Sequence, residues 1–190
     1  MMLYPITTCR GCDRLWGRNS NSDCSGFKAA RTLVEKELSG RLSTPRGAEI
    51  YLRFHGNLTD EQFLRLLDLH VEVLQPIQTL ELRFKGISNR TLEKLHLLPN
   101  LAVLYLLGSS VTDAGMPYLR SLPNLRKLEL DTTNMSDKGL LELAESPKQL
   151  CLAVEKTKVT PKGIDAFGKK KPDCFVGPTW EWAAHLRKSR

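Results

Sequence analysis

Residues 101–124 read LAVLYLLGSSVTDAGMPYLRSLPN, and their pattern recurs along the chain at a step of 24. From Leu80 the step reaches Leu104, Leu128 and Leu152; from Leu82 it reaches Leu106, Leu130 and Val154. Ile87, Val111, Met135 and Val159 keep the same interval, as do Leu95, Leu119, Leu143 and Phe167. Turn positions follow it too: Thr112, Ser136 and Thr160; Gly115, Gly139 and Gly163; Pro99, Pro123 and Pro147. A period of roughly 20–50 residues held by apolar and turn positions together marks a repeat architecture.

Within one unit, Leu104 and Leu106 are two apart and share one face of a strand, with Tyr105 and Leu107 on the other. Thr112 is suited to cap a helix, and Asp113 sets a negative charge at the positive end of its dipole. Met116, Leu119 and Leu122 then follow at helical spacing, and Pro123-Asn124 stops the helix. A helix of about 8–10 residues does not hold alone in water, so each unit needs its neighbours. The last strand, Cys174-Phe175-Val176, is cut off by Gly177-Pro178, which blunts the final sheet edge.

The segments Val111-Thr112-Asp113-Ala114-Gly115 and Leu122-Pro123-Asn124-Leu125 resemble the leucine-rich repeat family, in particular its bacterial type with TDAG and LPNL in each unit. The resemblance implies an α/β solenoid: a right-handed arc with parallel strands on the concave face, short helices on the convex face and an N-terminal helical cap. It also implies a non-catalytic role in protein–protein contact. Asn89-Arg90 and Pro161-Lys162 depart from the Asp-x pair, and Leu150 falls one residue late for the step from Leu125.

Around this centre the chain divides into four parts. Residues 1–26 form a poorly defined leader with Cys9, Cys12 and Cys24; residues 27–48 read as a capping helix with Phe27, Ala30, Val34, Leu38 and Leu42 on one face and a Glu37–Arg41 pair. Residues 49–176 hold the repeats, beginning with a degenerate one in which Leu52 and Phe54 are the strand pair and Phe63, Leu66 and Leu69 the helix face. Residues 177–190 read as a C-terminal cap and basic tail, in which Thr179 caps a helix over Trp180–Leu186.

Cys9-Arg10-Gly11-Cys12 has the spacing of half a zinc site, and Cys24 offers a third thiolate. A closed site needs four ligands, and the second pair is missing, so the reading favours unpaired thiols and no cofactor, with zinc as the alternative. Five scattered cysteines and no long apolar leader fit a reducing cytoplasm better than a disulfide framework. No apolar run is long enough to span a membrane.

The net charge of +7 sits at the ends: residues 1–48 carry eight Lys and Arg against four Asp and Glu, and residues 156–190 nine against three. Residues 49–155 carry eleven against fourteen, which weighs against a nucleic-acid-reading face. The four histidines are scattered, and no phosphate loop or paired carboxylates stand at catalytic spacing, so the expectation is no enzyme activity.

Binding should then use the outward strand positions: Tyr51, Arg53, Glu81, Arg83, Tyr105, Leu107, Lys127, Glu129, Asp131 and Glu155. Tyr105 with Leu107 makes an apolar centre, and Arg83, Glu129 and Asp131 a charged surround, the composition of a protein- or peptide-binding patch. Two alternatives belong to other classes. One is a substrate-recognition subunit of a ubiquitin-ligase-like complex, which needs an adaptor-binding helical segment. The other is a zinc-containing adaptor contacting nucleic acid through both basic ends. The partner's identity and the oligomeric state have no signature in the sequence.

Overall fold

The computed structural model describes residues 29–43, 50–54 and 56–177. The readings for Cys9, Cys12 and Cys24, and for the tail beyond residue 177, lie outside the described residues. Among the described residues seven strands follow one another in the sheet in chain order: β1 (Gly40–Ser43), β2 (Ile50–Phe54), β3 (Ile77–Glu81), β4 (Val103–Tyr105), β5 (Lys127–Glu129), β6 (Cys151–Ala153) and β7 (Phe175–Val176). The first pair is antiparallel, and every later pair is parallel. Among the described residues five α-helices lie between the strands: α1 (Asp60–Leu74), α2 (Asn89–Lys94), α3 (Met116–Ser121), α4 (Asp137–Ala144) and α5 (Pro161–Lys170).

This topology corrects the expectation of an α/β solenoid, a right-handed arc of parallel strands with a helical cap. The described residues form an α/β fold on one mostly parallel seven-stranded sheet, and that sheet opens with an antiparallel pair. The expected capping helix over residues 27–48 also differs, because Gly40–Ser43 in its second half is a strand and not helical. Its turns pass into a π-helix over Leu33–Glu37, and Ser39 then takes a left-handed φ of 48°. The chain reverses and returns as β1, so Arg41 stands on a strand and not on the expected helix. Arg31 pairs instead with Glu35, at 2.8 Å. Gly40 makes the reversal possible: a methyl group there would lie 2.7 Å from Phe54 Cδ1 and 2.8 Å from the Arg53 carbonyl.

The sequence step of 24 is the sheet register. Leu80 pairs with Leu104, Leu104 with Leu128 and Leu128 with Leu152. These leucines and Leu82, Leu106 and Leu130 are fully buried, joined from the helix side by Leu95, Leu119, Leu143 and Phe167. Removing one such side chain from water is worth about 1.5–3 kcal/mol, so the stacked ladder dominates the core. In α1 the inward face is Phe63, Leu66, Leu67 and Leu74, while Leu69 is 58% exposed, contrary to its expected place. A kink at His70 re-aims the helix, and Leu74 at its end reaches the core.

The turns between strands and helices are joined by a second ladder that is polar. Asp60 accepts from the Ser88 backbone N–H at 2.9 Å and from the Ser88 hydroxyl. Asp113 accepts from Ser136 N and Oγ at 2.7 and 2.6 Å, and Asp137 from Thr160 N and Oγ1 at 2.7 Å each. Asn89 keeps the link with its amide, accepting from Thr112 N at 3.1 Å and donating to Thr112 Oγ1 at 2.8 Å. Each acidic or amide side chain at a helix start therefore fastens the cap residue of the next unit. Thr112 spends its side chain on this link and makes no cap bond of its own, although the sequence suggested one.

The glycines at the third position of the last three of these helix starts, Gly115, Gly139 and Gly163, now have a steric reason. A methyl group at Gly115 would sit 2.6 Å from Asn89 Oδ1, and one at Gly139 or Gly163 would collide with the carboxylate of Asp113 or Asp137. Where Thr91 takes the glycine position, its buried hydroxyl donates to Asp60 Oδ1 at 2.6 Å.

Candidate partner-binding surface

Alternation along each strand sends Leu80, Leu104 and Leu128 to the core, and Glu81, Tyr105 and Glu129 to the opposite face. Parallel pairing sets Arg53 beside Glu81, Glu81 beside Tyr105 and Tyr105 beside Glu129. Across four strands the row thus reads Arg, Glu, Tyr and Glu.

Glu81 is the hub. Its carboxylate accepts from the Tyr51 hydroxyl and from Arg53 Nε at 2.7 Å, and forms an ion pair with Arg83, whose Nε lies at 3.1 Å. Arg83 reaches on to Glu129, with Nη2 at 3.6 Å from Oε1. Each arginine also lies over a ring: Arg53 at 5.2 Å from the Tyr51 centroid and Arg83 at 5.0 Å from that of Tyr105. The side chains of Glu81 and Glu129 are only 10% and 4% exposed, against 45% for Arg53 and 36% for Arg83.

Of the acids expected in a charged rim, Glu129 is therefore sunk beneath Arg83. Glu129 and Asp131 are buried, and Asp131 Oδ1 is taken up by the backbone N–H of Glu155 at 2.6 Å. Exposed carboxylates on a sheet are freely solvated only when no long cation reaches over them; here two arginines do. What faces solvent is Arg53, Arg83 and the half-buried Tyr51 and Tyr105. Burial raises the Tyr51 phenol, and its hydrogen bond to Glu81 adds to the effect. Burial also raises Tyr105, helped by the charge of Glu129, so both rings keep their protons at neutral pH.

The remaining expected positions are less central. Leu107 is half-buried in the turn after β4, Lys127 is half-buried at the start of β5, and Glu155 is exposed beyond β6. Gly108, Thr132 and Lys156, spaced by the same 24 residues, all adopt left-handed φ of 69°, 59° and 55°. They turn the chain away from the face at the same point in three successive units, an order hidden in sequence because only one is glycine.

At the opposite edge, Asn100 and Asn124 donate to the carbonyls of Gln75 and Pro99, at 3.1 and 2.9 Å. Lys148 takes over this role with the Leu122 and Arg120 carbonyls, and Lys171 with that of Ser146. Burial pushes the Lys148 ammonium below its ordinary pKa. The run at Lys169–Lys171 is fully engaged: Lys169 with Asp165 at 2.7 Å, Lys170 with Glu145 at 2.6 Å, and Lys171 with backbone.

Cys151 and Cys174 are free and half-buried, and burial raises the Cys151 thiol. Among the described residues no group of three or more His, Cys, Asp or Glu side chains could hold a metal ion. No described helix is long and apolar enough to cross a membrane.

No family model matches this chain, and no curated protein matches it. Among solved structures it is similar to "Leiomodin-1 Actin-Binding Site 2 (ABS2)", with a TM-score of 0.44 and 15% identity over 65% of this chain and 84% of that one.

Proposed function

We propose that this chain is a non-catalytic binding module that presents its outward strand face to a protein or peptide. The observation that carries this reading is the pair of Arg–Tyr stacks, Arg53 on Tyr51 and Arg83 on Tyr105, held in place by the sunken Glu81 and Glu129. Tyrosine and arginine dominate the energetics of protein interfaces, and both are most effective when little side-chain freedom is lost on binding. The buried carboxylates supply that preorganisation: they fix the guanidinium groups before a partner arrives. They also cancel much of the arginine charge, so the face suits a mixed aromatic and polar partner better than a phosphate backbone.

The alternative role as a substrate-recognition subunit needs a helical segment for an adaptor, and residues 40–43 stand in the sheet instead. The test of the main reading is a quantitative capture from the source cells with full-length bait. Arg83→Ala and Tyr105→Ala, shown by circular dichroism to stay folded, should each lower recovery of the wild-type partners by about tenfold, the loss of an interface hot spot. Recovery unchanged in both variants would remove the site from this face.

A further inference from the structure

We propose that a groove along the N-terminal ends of strands β3 to β6 binds an extended acidic peptide segment. Two adjoining hollows, of about 510 and 400 Å³, share Asn124 and Arg126 and together reach from Gln78 to Cys151. Their lining repeats at the unit spacing, with Asn100, Asn124 and Lys148 at one position and Gln78, Ala102 and Arg126 at another. Three strand spacings of about 4.8 Å make roughly 14 Å, which an extended chain spans in about four or five residues.

The chemistry of the lining selects the occupant. Arg126 and Lys127 have no carboxylate partner among the described residues, and Lys148 spends its donors on backbone carbonyls. Asp173 is the acid of the lining, so three cations face one carboxylate. This local excess of positive charge contrasts with the strand face, where acids and arginines cancel. Gln78 adds a second signal: its side-chain oxygen is shielded from solvent and accepts no hydrogen bond among the described residues. Rotation about its terminal torsion, which is soft, presents that oxygen to a peptide N–H. Successive side chains of an extended peptide point to opposite sides, so acids at alternate positions share the side that faces the groove. Single-stranded nucleic acid is the poorer fit, because no aromatic ring lines either hollow to stack a base.

Lys127 adjoins the strand face, but this groove does not depend on Arg83 or Tyr105, and the experiment separates the two. Fluorescence anisotropy with the full chain would compare three fluorescein-labelled probes of about eight residues or nucleotides: a peptide alternating Glu with Ser, its Gln counterpart, and single-stranded DNA. An exposed ion pair is worth up to about fivefold in affinity, and reversing one charge adds a repulsion of similar size. The Glu peptide should therefore bind at least about tenfold tighter than the Gln peptide. Arg126→Glu should weaken it by about tenfold, Arg126→Gln by less, and Arg83→Ala by under about twofold. Equal or absent binding of the two peptides overturns the proposal, as does an Arg126→Glu variant that binds like wild type. DNA binding tighter than the Glu peptide, and lost in Arg126→Glu, would reassign the groove to nucleic acid.

Discussion

Replacing Gly139 by alanine should destabilise this protein, although alanine is the better helix former. Gly139 lies inside α4, where the exchange alone gains about 1 kcal/mol of helix propensity. Against that gain, the added methyl group collides with the Asp113 carboxylate and lies 2.9 Å from Met135 Cγ and 3.1 Å from Met116 Cγ. The methionines are flexible and can yield. Asp113 cannot yield without releasing Ser136 N and Oγ, which it accepts at 2.7 and 2.6 Å and which form the cap of α4 itself. Hydrogen bonds to a charged acceptor are worth about 1.5–3 kcal/mol each, and this pair is only half-buried, so its joint loss is taken as about 2–3 kcal/mol. Gly139→Ala should then cost about 1–2 kcal/mol net, and Asp113→Ala about 2–3 kcal/mol. The double variant discriminates: with the carboxylate gone, the methyl group has room, and Gly139→Ala should stabilise by up to about 1 kcal/mol in that background. The expected coupling is about 2 kcal/mol, read from urea unfolding of the four proteins by circular dichroism. Costs for Gly139→Ala that agree within about 0.5 kcal/mol in the two backgrounds would refute the steric link.

Two further outcomes follow from the same geometry. Burial acts to raise the Asp60 carboxyl, but hydrogen bonds from Ser88 and Thr91 outweigh it and hold the group below its ordinary value. A depressed folded pKa means that the unfolded chain takes up the proton first. The stabilisation is complete above the ordinary aspartate titration and is lost as pH falls through the lowered folded value. Thermal melts of wild type and Asp60→Asn should therefore differ at neutral pH and converge in acid; a gap that stays constant would refute the linkage. Gly40→Ala should cost about 1–3 kcal/mol by overpacking, since the new methyl group meets Phe54, the Arg53 carbonyl and Val34 Cγ1 at 2.7–2.8 Å. Unchanged urea unfolding would show that the β1–β2 pair has slack the geometry does not suggest.

The leucine ladder was legible because burial imposes a strict rule: Leu80, Leu104, Leu128 and Leu152 share one register, and a one-residue slip would turn each toward solvent. The capping helix was misread because a 3.6-residue period across Ala30, Val34, Leu38 and Leu42 carries no mark of the left-handed residue that breaks it. Leu42 is buried as expected, but from a strand. Alternation also tells which face Glu81 and Glu129 share, but not that Arg53 and Arg83 lie over them; that depends on rotamers of side chains 28 and 46 positions apart in sequence. Asp113 was understood only through its own helix, because its second role is with a cap residue 23 positions later. The groove was missed for a similar reason: Gln78, Asn124 and Lys148 look unrelated until the strands set them side by side.

The fastenings at the helix starts have a direction. Asp60, Asn89, Asp113 and Asp137 each reach forward to the next cap, and the position that follows in the series is Pro161, which has no group to extend. Gene duplication could thus lengthen the protein from within, since a copied cassette between Asp113 and Ser136 arrives with both halves of its buckle. A cassette grafted after α5 would find an empty hand.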